Sequence, residues 1–427
     1  MLPRVFVRHS SSSSSSASTF LSAVRTLAPA SRVPMSSSKA SVTSDASSTS
    51  SVTVSLPVIS AQNPPSAAEK AHHTASGHFK APWKSFGKGD IAPTEVLWSK
   101  IIGEWKPVKS SADMMPLAVP AFLSADCSRD ASKIRATWLG HATFLTEMPS
   151  GINVLFDPLL GTKCAPSFLP GFGRISPAPC KVSDLPRVDV VCISHAHYDH
   201  LDTYSIKLLM QQFPGIHYFV PLGMKAWFEA TGVRSGNVTE LDWWDQRQIT
   251  VDGVSATVSC LPAQHTSNRT LSDHGKVLCA SWAIDSPSDK NGGKVYFAGD
   301  TGYRAVPRLD PEIDDHELDF PSCPAFKEIG EYRGPFDLAL LPIGAYSPRH
   351  IMSRVHSDPE DSVNIFKDVK AKRALAMHFG TWILTDEPIL EPIQKLKQAL
   401  KKFSIPETGV FDAIQVGQSV EVDVVDK

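Results

Sequence analysis

Six consecutive residues, His195-Ala-His197-Tyr-Asp199-His200, put three imidazoles and a carboxylate on one short stretch of chain. Borderline metals such as Zn²⁺ favour this mixture of nitrogen and oxygen ligands. One loop cannot surround two ions, so further ligands have to arrive from elsewhere. His265 in Pro262-Ala-Gln-His265, Asp300 in Phe297-Ala-Gly-Asp300 and His378 in Met377-His378-Phe-Gly each end a short apolar run. Taken singly, each is an ordinary loop residue; four strand ends with one chemistry form a specific pattern. In open α/β sheets the carboxyl ends of strands are where sites are built.

The elements that must carry these residues are legible from periodicity and length. The apolar run Val188–Ser194 reads as a buried strand, and Thr203–Gln212 as the helix after the histidine loop. Further strands are expected near Ile134–Trp138, Thr143–Glu147, Asn153–Asp157, His217–Val220, Gln248–Val251 and Val254–Leu261. Others follow at Val277–Ile284, Lys294–Ala298, Asp337–Pro342, Arg373–Met377 and Ser419–Val424. Helices are expected at Gly223–Ala230, Pro359–Val369 and Pro388–Lys402. Strand-rich halves interleaved with helices give an α/β class: two mixed sheets face to face with helices outside.

The amino-terminal composition differs. The first 44 residues contain Arg4, Arg8, Arg25, Arg32 and Lys39, no acid, and many serines. A basic, acid-free, Ser-rich and amphipathic leader reads as a mitochondrial transit peptide over 1–45. Residues 46–77 read as a disordered Ser/Thr/Pro-rich linker, and 78–427 as the working domain. Without the first 44 residues the formal charge falls from −2 to −7, which disfavours a nucleic-acid partner. No run of 18 apolar residues suggests a membrane span. The seven cysteines form no CxxC pair; Cys192, Cys260 and Cys279 sit in apolar runs and read as reduced packing residues.

The motif set resembles one family. His195–His200, Trp138-Leu-Gly-His141-Ala-Thr, Pro262-Ala-Gln-His265, Phe297-Ala-Gly-Asp300-Thr-Gly-Tyr303, Leu341-Pro-Ile-Gly-Ala-Tyr346, His356-Ser-Asp-Pro-Glu360 and Met377-His378-Phe-Gly-Thr381 together are similar to the N-acyl-phosphatidylethanolamine-hydrolysing phospholipase D family. That family lies in the metallo-β-lactamase superfamily, whose αββα sandwich the resemblance implies. Glyoxalase II and tRNA 3′-processing nucleases share the HxHxDH string but not the whole set. The resemblance implies two Zn²⁺ ions. His195, His197 and His265 would hold one; Asp199, His200 and His378 the other; Asp300 would bridge.

The implied reaction is hydrolysis of N-acyl-phosphatidylethanolamine to N-acylethanolamine and phosphatidic acid. A hydroxide between the two ions would attack phosphorus, with Asp199 and Asp300 as carboxylates of the catalytic centre. The departing alkoxide needs a proton, and the family string points to His356 as donor. The same residues, Ser357-Asp358-Pro359-Glu360, also read as a helix cap followed by proline at the first helical position. His141 and Asp157 are expected to support the ligands from behind rather than bind metal.

A lipid substrate implies peripheral membrane contact. Phe79, Trp83, Phe86, Trp98 and Trp105, and the segment Pro166–Ile175, carry apolar residues suited to an interface or to packing on the core. The resemblance also implies a homodimer. Residues 304–322 look like an acidic, Pro-containing insertion, expected as a surface loop at the substrate entrance. A lactone or thioester hydrolase of the glyoxalase II type on the same metal site, and a non-catalytic lipid-binding protein that kept the fold, are the alternatives.

Overall fold

The computed structural model describes residues 51–103, 105, 108, 115–122, 130, 132–166, 172–270, 272–286 and 292–424. The expected leader lies outside the described residues. Among the described residues fifteen strands form two sheets. The first sheet takes β1 (Val52–Ser55) and the second begins with β2 (Lys133–Trp138), β3 (Phe144–Glu147), β4 (Asn153–Phe156), β5 (Val190–Cys192), β6 (His217–Pro221) and β7 (Val238–Leu241). The first sheet resumes with β8 (Gln246–Val251), β9 (Val254–Pro262), β10 (Ala280–Ser286), β11 (Gly293–Phe297), β12 (Phe336–Pro342), β13 (Ala371–Met377) and β14 (Phe411–Asp412). The last strand, β15 (Ser419–Asp423), returns to the second sheet beside β2.

The helices are α1 (Ser66–Glu69), α2 (Pro93–Ile101), α3 (Thr203–Gln212), α4 (Lys225–Thr231), α5 (Ala325–Tyr332), α6 (Arg349–Met352), α7 (Pro359–Asp368) and α8 (Glu391–Lys402). The strand alternation explains the layers. Val154, Phe156, Val190 and Cys192 join the core between the sheets, whereas Leu155 and Val191 join a second cluster. That second cluster includes Ile206, Leu209 and Phe228 of α3 and α4. Side chains of successive strand residues point to opposite faces, so one run of apolar residues serves both layers.

Direction within the sheets sets up the site. β9 and β11 flank β10, each antiparallel to it, and β11, β12 and β13 pair in parallel. β9, β11 and β13 therefore end at one edge. In the other sheet β2 and β4 flank β3, each antiparallel to it, and β4 and β5 are parallel. β2, β4 and β5 therefore also share a terminal edge. Trp282 on β10 ties the layers together there, its buried indole N–H donating to Ile193 O (2.9 Å) just before the histidine loop.

Most expected elements are present with shifts of one to three residues at their ends. The linker expected over 46–77 is corrected by the structure. Val52–Ser55 pairs with Ile249, Gln248 and their neighbours on β8. Lys70 Nζ (2.8 Å), His72 Nε2 (2.7 Å) and His73 Nε2 (2.8 Å) all reach the carboxylate of Asp242. An edge strand offers unpaired backbone groups, and Val52-Thr-Val54 has the alternation needed to cover them, although its Ser-rich surroundings hide that signal. β7 and α5 are further elements not apparent in the sequence pattern.

Two outcomes are expected. Trp282→Phe keeps the packing but leaves Ile193 O without its donor, which should cost about 1–3 kcal/mol in urea unfolding. Burial alone would raise the Asp242 carboxyl, but hydrogen bonds from His72, Lys70 and His73 hold it well below the ordinary range. A depressed carboxylate stabilises fully above its unfolded value, about 3.9, and that contribution fades as pH falls through the folded value. Tryptophan fluorescence near Trp243, on which His72 stacks at 4.1 Å, should shift only below about pH 4. In Asp242→Asn it should already be shifted at pH 6.

Candidate metal centre

The histidine loop is short because both ends are fixed. Ile193 N bonds Phe219 O, and Asp202 caps α3 by accepting from Tyr204 N and Ser205 N. Between them Ala196 N donates to Ser267 Oγ (2.9 Å), and Arg269 Nη1 donates to Ala196 O (2.8 Å) and Leu201 O (2.9 Å). Three site residues that are not glycine adopt left-handed backbone: His141 (φ 52°), Asp157 (φ 38°) and His378 (φ 64°). Such conformations are costly away from glycine and concentrate at functional sites. Each lies just past the end of a ligand-bearing or ligand-supporting strand.

The side chains converge into two groups joined by Asp300. In the first, His195 Nε2 lies 2.9 Å from His197 Nδ1, and His265 Nε2 lies 3.3 Å from the same atom. In the second, His200 Nε2 and His378 Nε2 are 3.3 Å apart, and both are 3.5 Å from Asp199 Oδ2. Asp300 Oδ2 is 3.9 Å from His195 Nε2, 3.8 Å from His265 Nε2 and 3.1 Å from His200 Nε2; its Oδ1 is 2.9 Å from His378 Nε2. All seven expected ligands are thus brought together.

The outer ring nitrogens decide what the inner ones can do. His265 Nδ1 donates to Val355 O (2.8 Å), and His200 Nδ1 donates to Asp157 Oδ2 (2.7 Å). His195 Nδ1 faces Ser194 Oγ (2.9 Å), whose proton goes to Asp157 Oδ2 (2.6 Å). His197 Nε2 faces Asn268 Oδ1 (3.1 Å). An imidazole that donates outward presents a lone pair inward. The interior is therefore a pocket of acceptors around buried carboxylates, which fits cations. Outer partners of this kind fix ring orientation and raise ligand basicity.

The titration behaviour has the same origin. Burial favours the neutral carboxyl at Asp300, yet His200, His378 and His356 hold it well below the carboxylate range. Burial favours neutral imidazole at His378, but Asp300 and Asp199 outweigh it and push it up to about 9. Two buried carboxylates thus demand positive charge here.

Three sequence expectations take their places around this centre. His141, expected as support, is hydrogen-bonded to a ligand: its Nε2 is 2.9 Å from Asp199 Oδ2, which also puts it within reach of the second group. Its left-handed turn after β2 is the feature that a linear reading does not reveal. Asp157 is the supporting residue that it was expected to be, with both oxygens used by Ser194 and His200. His356 sits beside the centre, Nδ1 3.9 Å from Asp300 Oδ2, with its ring packed against His265 and His378. The helix-entry reading of its string is seen in the fold, where Asp358 caps α7 by accepting from Asp361 N.

The remaining expectations also find their places. Phe86 is buried, and Trp83 stacks on Trp243 at 5.3 Å, so these aromatics pack on the core. Trp98 is 61% exposed and Phe172 50% exposed. Phe168 and Leu169 lie outside the described residues. The segment 304–322 is a surface loop as expected, mostly exposed and with one 3-10 turn at Asp315–Glu317, and it is anchored at its start: Arg304 is buried and ion-paired to Asp361 and Asp315. All the described cysteines, from Cys164 to Cys323, are free, and burial pushes the thiols of Cys192, Cys260 and Cys279 up.

Residues 152–379 match the beta-lactamase superfamily domain. An N-acyl-phosphatidylethanolamine-hydrolyzing phospholipase D of Caenorhabditis elegans is 38% identical over 300 residues, covering 69% of this chain and 78% of the relative. This chain belongs to the N-acyl-phosphatidylethanolamine-hydrolysing phospholipase D family of the metallo-β-lactamase superfamily. A family member from Saccharomyces cerevisiae, named as mitochondrial, is 33% identical over 263 residues, covering 61% of this chain and 50% of the relative. A solved metallo-hydrolase, Igni18 of Ignicoccus hospitalis, covers 68% of this chain and 98% of its own at 20% identity, with a TM-score of 0.41. Family membership and the αββα architecture make the protein a metal-dependent hydrolase.

The support behind His200 gives a direct test. Asp157→Asn leaves one acceptor oxygen where Ser194 N, Ser194 Oγ and His200 Nδ1 use two, and it removes the charge behind His200. Metal affinity, read by competition with a chromogenic chelator, should weaken about 10- to 100-fold.

Proposed function

We propose that this phospholipase D family member hydrolyses N-acyl-phosphatidylethanolamine to N-acylethanolamine and phosphatidic acid, with two Zn²⁺ ions as its cofactor. His195, His197 and His265 would hold one ion, Asp199, His200 and His378 the other, and Asp300 both. Bound there, the ions supply charge neutralisation for phosphoryl oxygens and a water that ionises near neutral pH. The observation that carries the reading is the placement of His356 next to that complete ligand set.

Burial lowers His356 to about 4, so its imidazole is neutral at pH 7. Its Nδ1 is buried without a hydrogen-bond partner and faces the Asp300 side of the centre. A neutral ring can accept the proton released from the attacking water and return it to the departing oxygen. The P–O bond to the N-acylethanolamine breaks, the water oxygen stays on phosphatidic acid, and the alcohol leaves protonated. His195, His197, Asp199, His200, His265, Asp300 and His378 orient the reacting groups without exchanging bonds.

A narrow cleft of about 20 Å³, room for little more than a water, opens beside His141 and His378, with Phe379, Trp382, Ile383, Leu384 and Ile389 among its walls. Such a wall offers apolar contact along its rim rather than an enclosed acyl-chain tunnel. Ile383 in that wall is 37% exposed, and Phe172 is also exposed. Two exposed apolar side chains suit shallow contact with a bilayer, as a peripheral enzyme requires. Among the described residues no helix is long and apolar enough to cross a membrane. A mitochondrial address belongs to the same reading. It is supported by the basic, acid-free leader and by the name of the yeast relative. A homodimer is its remaining part, carried by the family resemblance.

The test is product analysis by mass spectrometry on vesicles containing N-acyl-phosphatidylethanolamine. Full-length protein should release N-acylethanolamine and phosphatidic acid together. His197→Ala and chelator-stripped protein should lose at least about 100-fold in rate, with zinc restoring only the latter. Turnover of a water-soluble thioester or lactone with none on vesicles would overturn the lipid reading in favour of another hydrolase on this site.

A further inference from the structure

Arg304, Asp315 and His316 are held against the front of α7, while most residues between Arg304 and Asp315 face solvent. Arg304 Nε donates to Asp361 Oδ1 (2.8 Å), while Nη1 and Nη2 take Asp315 O (2.8 Å) and Asp315 Oδ2 (2.9 Å). Arg349 of α6 closes the ring by donating to Asp315 Oδ2 (2.9 Å) and Asp361 Oδ2 (2.8 Å). His316 Nδ1 lies between Arg304 Nη2 and Glu360 Oε1 (3.4 Å), and Nε2 carries a proton because it faces a carboxylate oxygen. That proton points to Asp358 Oδ2 at 2.8 Å. The other oxygen, Asp358 Oδ1, caps α7 through Asp361 N (2.9 Å).

Asp358 is two residues from His356. The stretch between them is fixed on its far side, because Ser357 N and Ser357 Oγ both donate to Thr301 O at 2.8 Å, next to Asp300. His356 N donates to Met352 O (2.8 Å) at the end of α6. The His356 ring has no such tether at Nδ1, which is buried and unbonded. Its aim therefore comes from the backbone, and the backbone is held between Thr301 and the caps at Asp358. A catalytic group has to be held by partners that are themselves locked.

We propose that the Arg304–Glu317 segment is a positioning clamp for the hydrolytic centre: His316 fixes Asp358, and through it sets His356 against Asp300. This rests on the reading that His356 serves hydrolysis. His316 touches no ligand position and is a positioning residue only. The buried Arg304–Asp361–Arg349–Asp315 ring keeps His316 in place, so the insertion shapes rate rather than substrate choice.

The test uses full-length His316→Ala, His316→Gln, His316→Asn, His356→Ala and the double variant His316→Ala/His356→Ala. A misplacement near 1 Å at the centre should lower kcat on lipid vesicles about 10- to 100-fold in His316→Ala. KM and bound metal should stay unchanged. Gln, whose amide can donate to Asp358, should restore most of the rate; Asn, too short to reach, should not and serves if the alanine variant does not fold. The double variant should fall no further than His356→Ala, and amide exchange at Ser357 and Asp361 should quicken in His316→Ala. Wild-type kcat in both the Ala and Asn variants, losses that add to those of His356→Ala, or unchanged amide exchange would each overturn the clamp. If the wild-type chain turns over no lipid, the functional reading fails by itself, and the exchange measurement still decides whether His316 holds this backbone.

Discussion

The Asp300 carboxylate lies within 3.9 Å of five imidazoles, those of His195, His200, His265, His356 and His378. Four separate stretches of chain supply them. A buried carboxylate facing inward-pointing lone pairs is tolerable only where cations or protons compensate. The fold therefore has to hold these groups against their mutual cost, and its devices are visible. Strand ends are aligned, three non-glycine residues take left-handed backbone, and every outer ring nitrogen of His195, His197, His200 and His265 meets an oxygen.

Those oxygens come from unlike sources, and this explains how the two sheets communicate. Asp157, after β4, serves both Ser194 and His200, so one buried carboxylate fixes the histidine loop at two points. Val355, in the loop before α7, serves His265 through its carbonyl. Gln264 receives a hydrogen bond from Ser85 and donates to Arg354 O, linking the segment before the core to the same loop. The segment ahead of the first core strand is thus part of the support of the site, not an appendage to it.

The same logic separates chemistry from architecture around α7. Its cap, its proline start and His356 lie within four residues. One short string fulfils a folding rule and places a reactive ring. Buried ion pairs seldom repay their desolvation cost as stability; here the Arg304–Asp361–Arg349–Asp315 ring contributes fixed geometry beside a reactive group.

The sequence by itself determined the chemistry and the period of most elements. His195–His200, His265, Asp300 and His378 were legible because ligand-type residues ended runs of strand length, and α3 was legible as the helix that follows the histidine loop. The family followed from whole strings rather than from single residues. Only the tertiary structure decided that His141 approaches Asp199, that Val52–Ser55 closes a sheet edge, and that 304–317 grips α7. The reason is physical. Period and composition report what one stretch of chain can do, whereas these three features depend on which partner a distant segment meets. An edge strand among serines, a turn at positive φ and an acidic insertion look like loop in isolation; β8, Asp199 and Asp358 give them their roles.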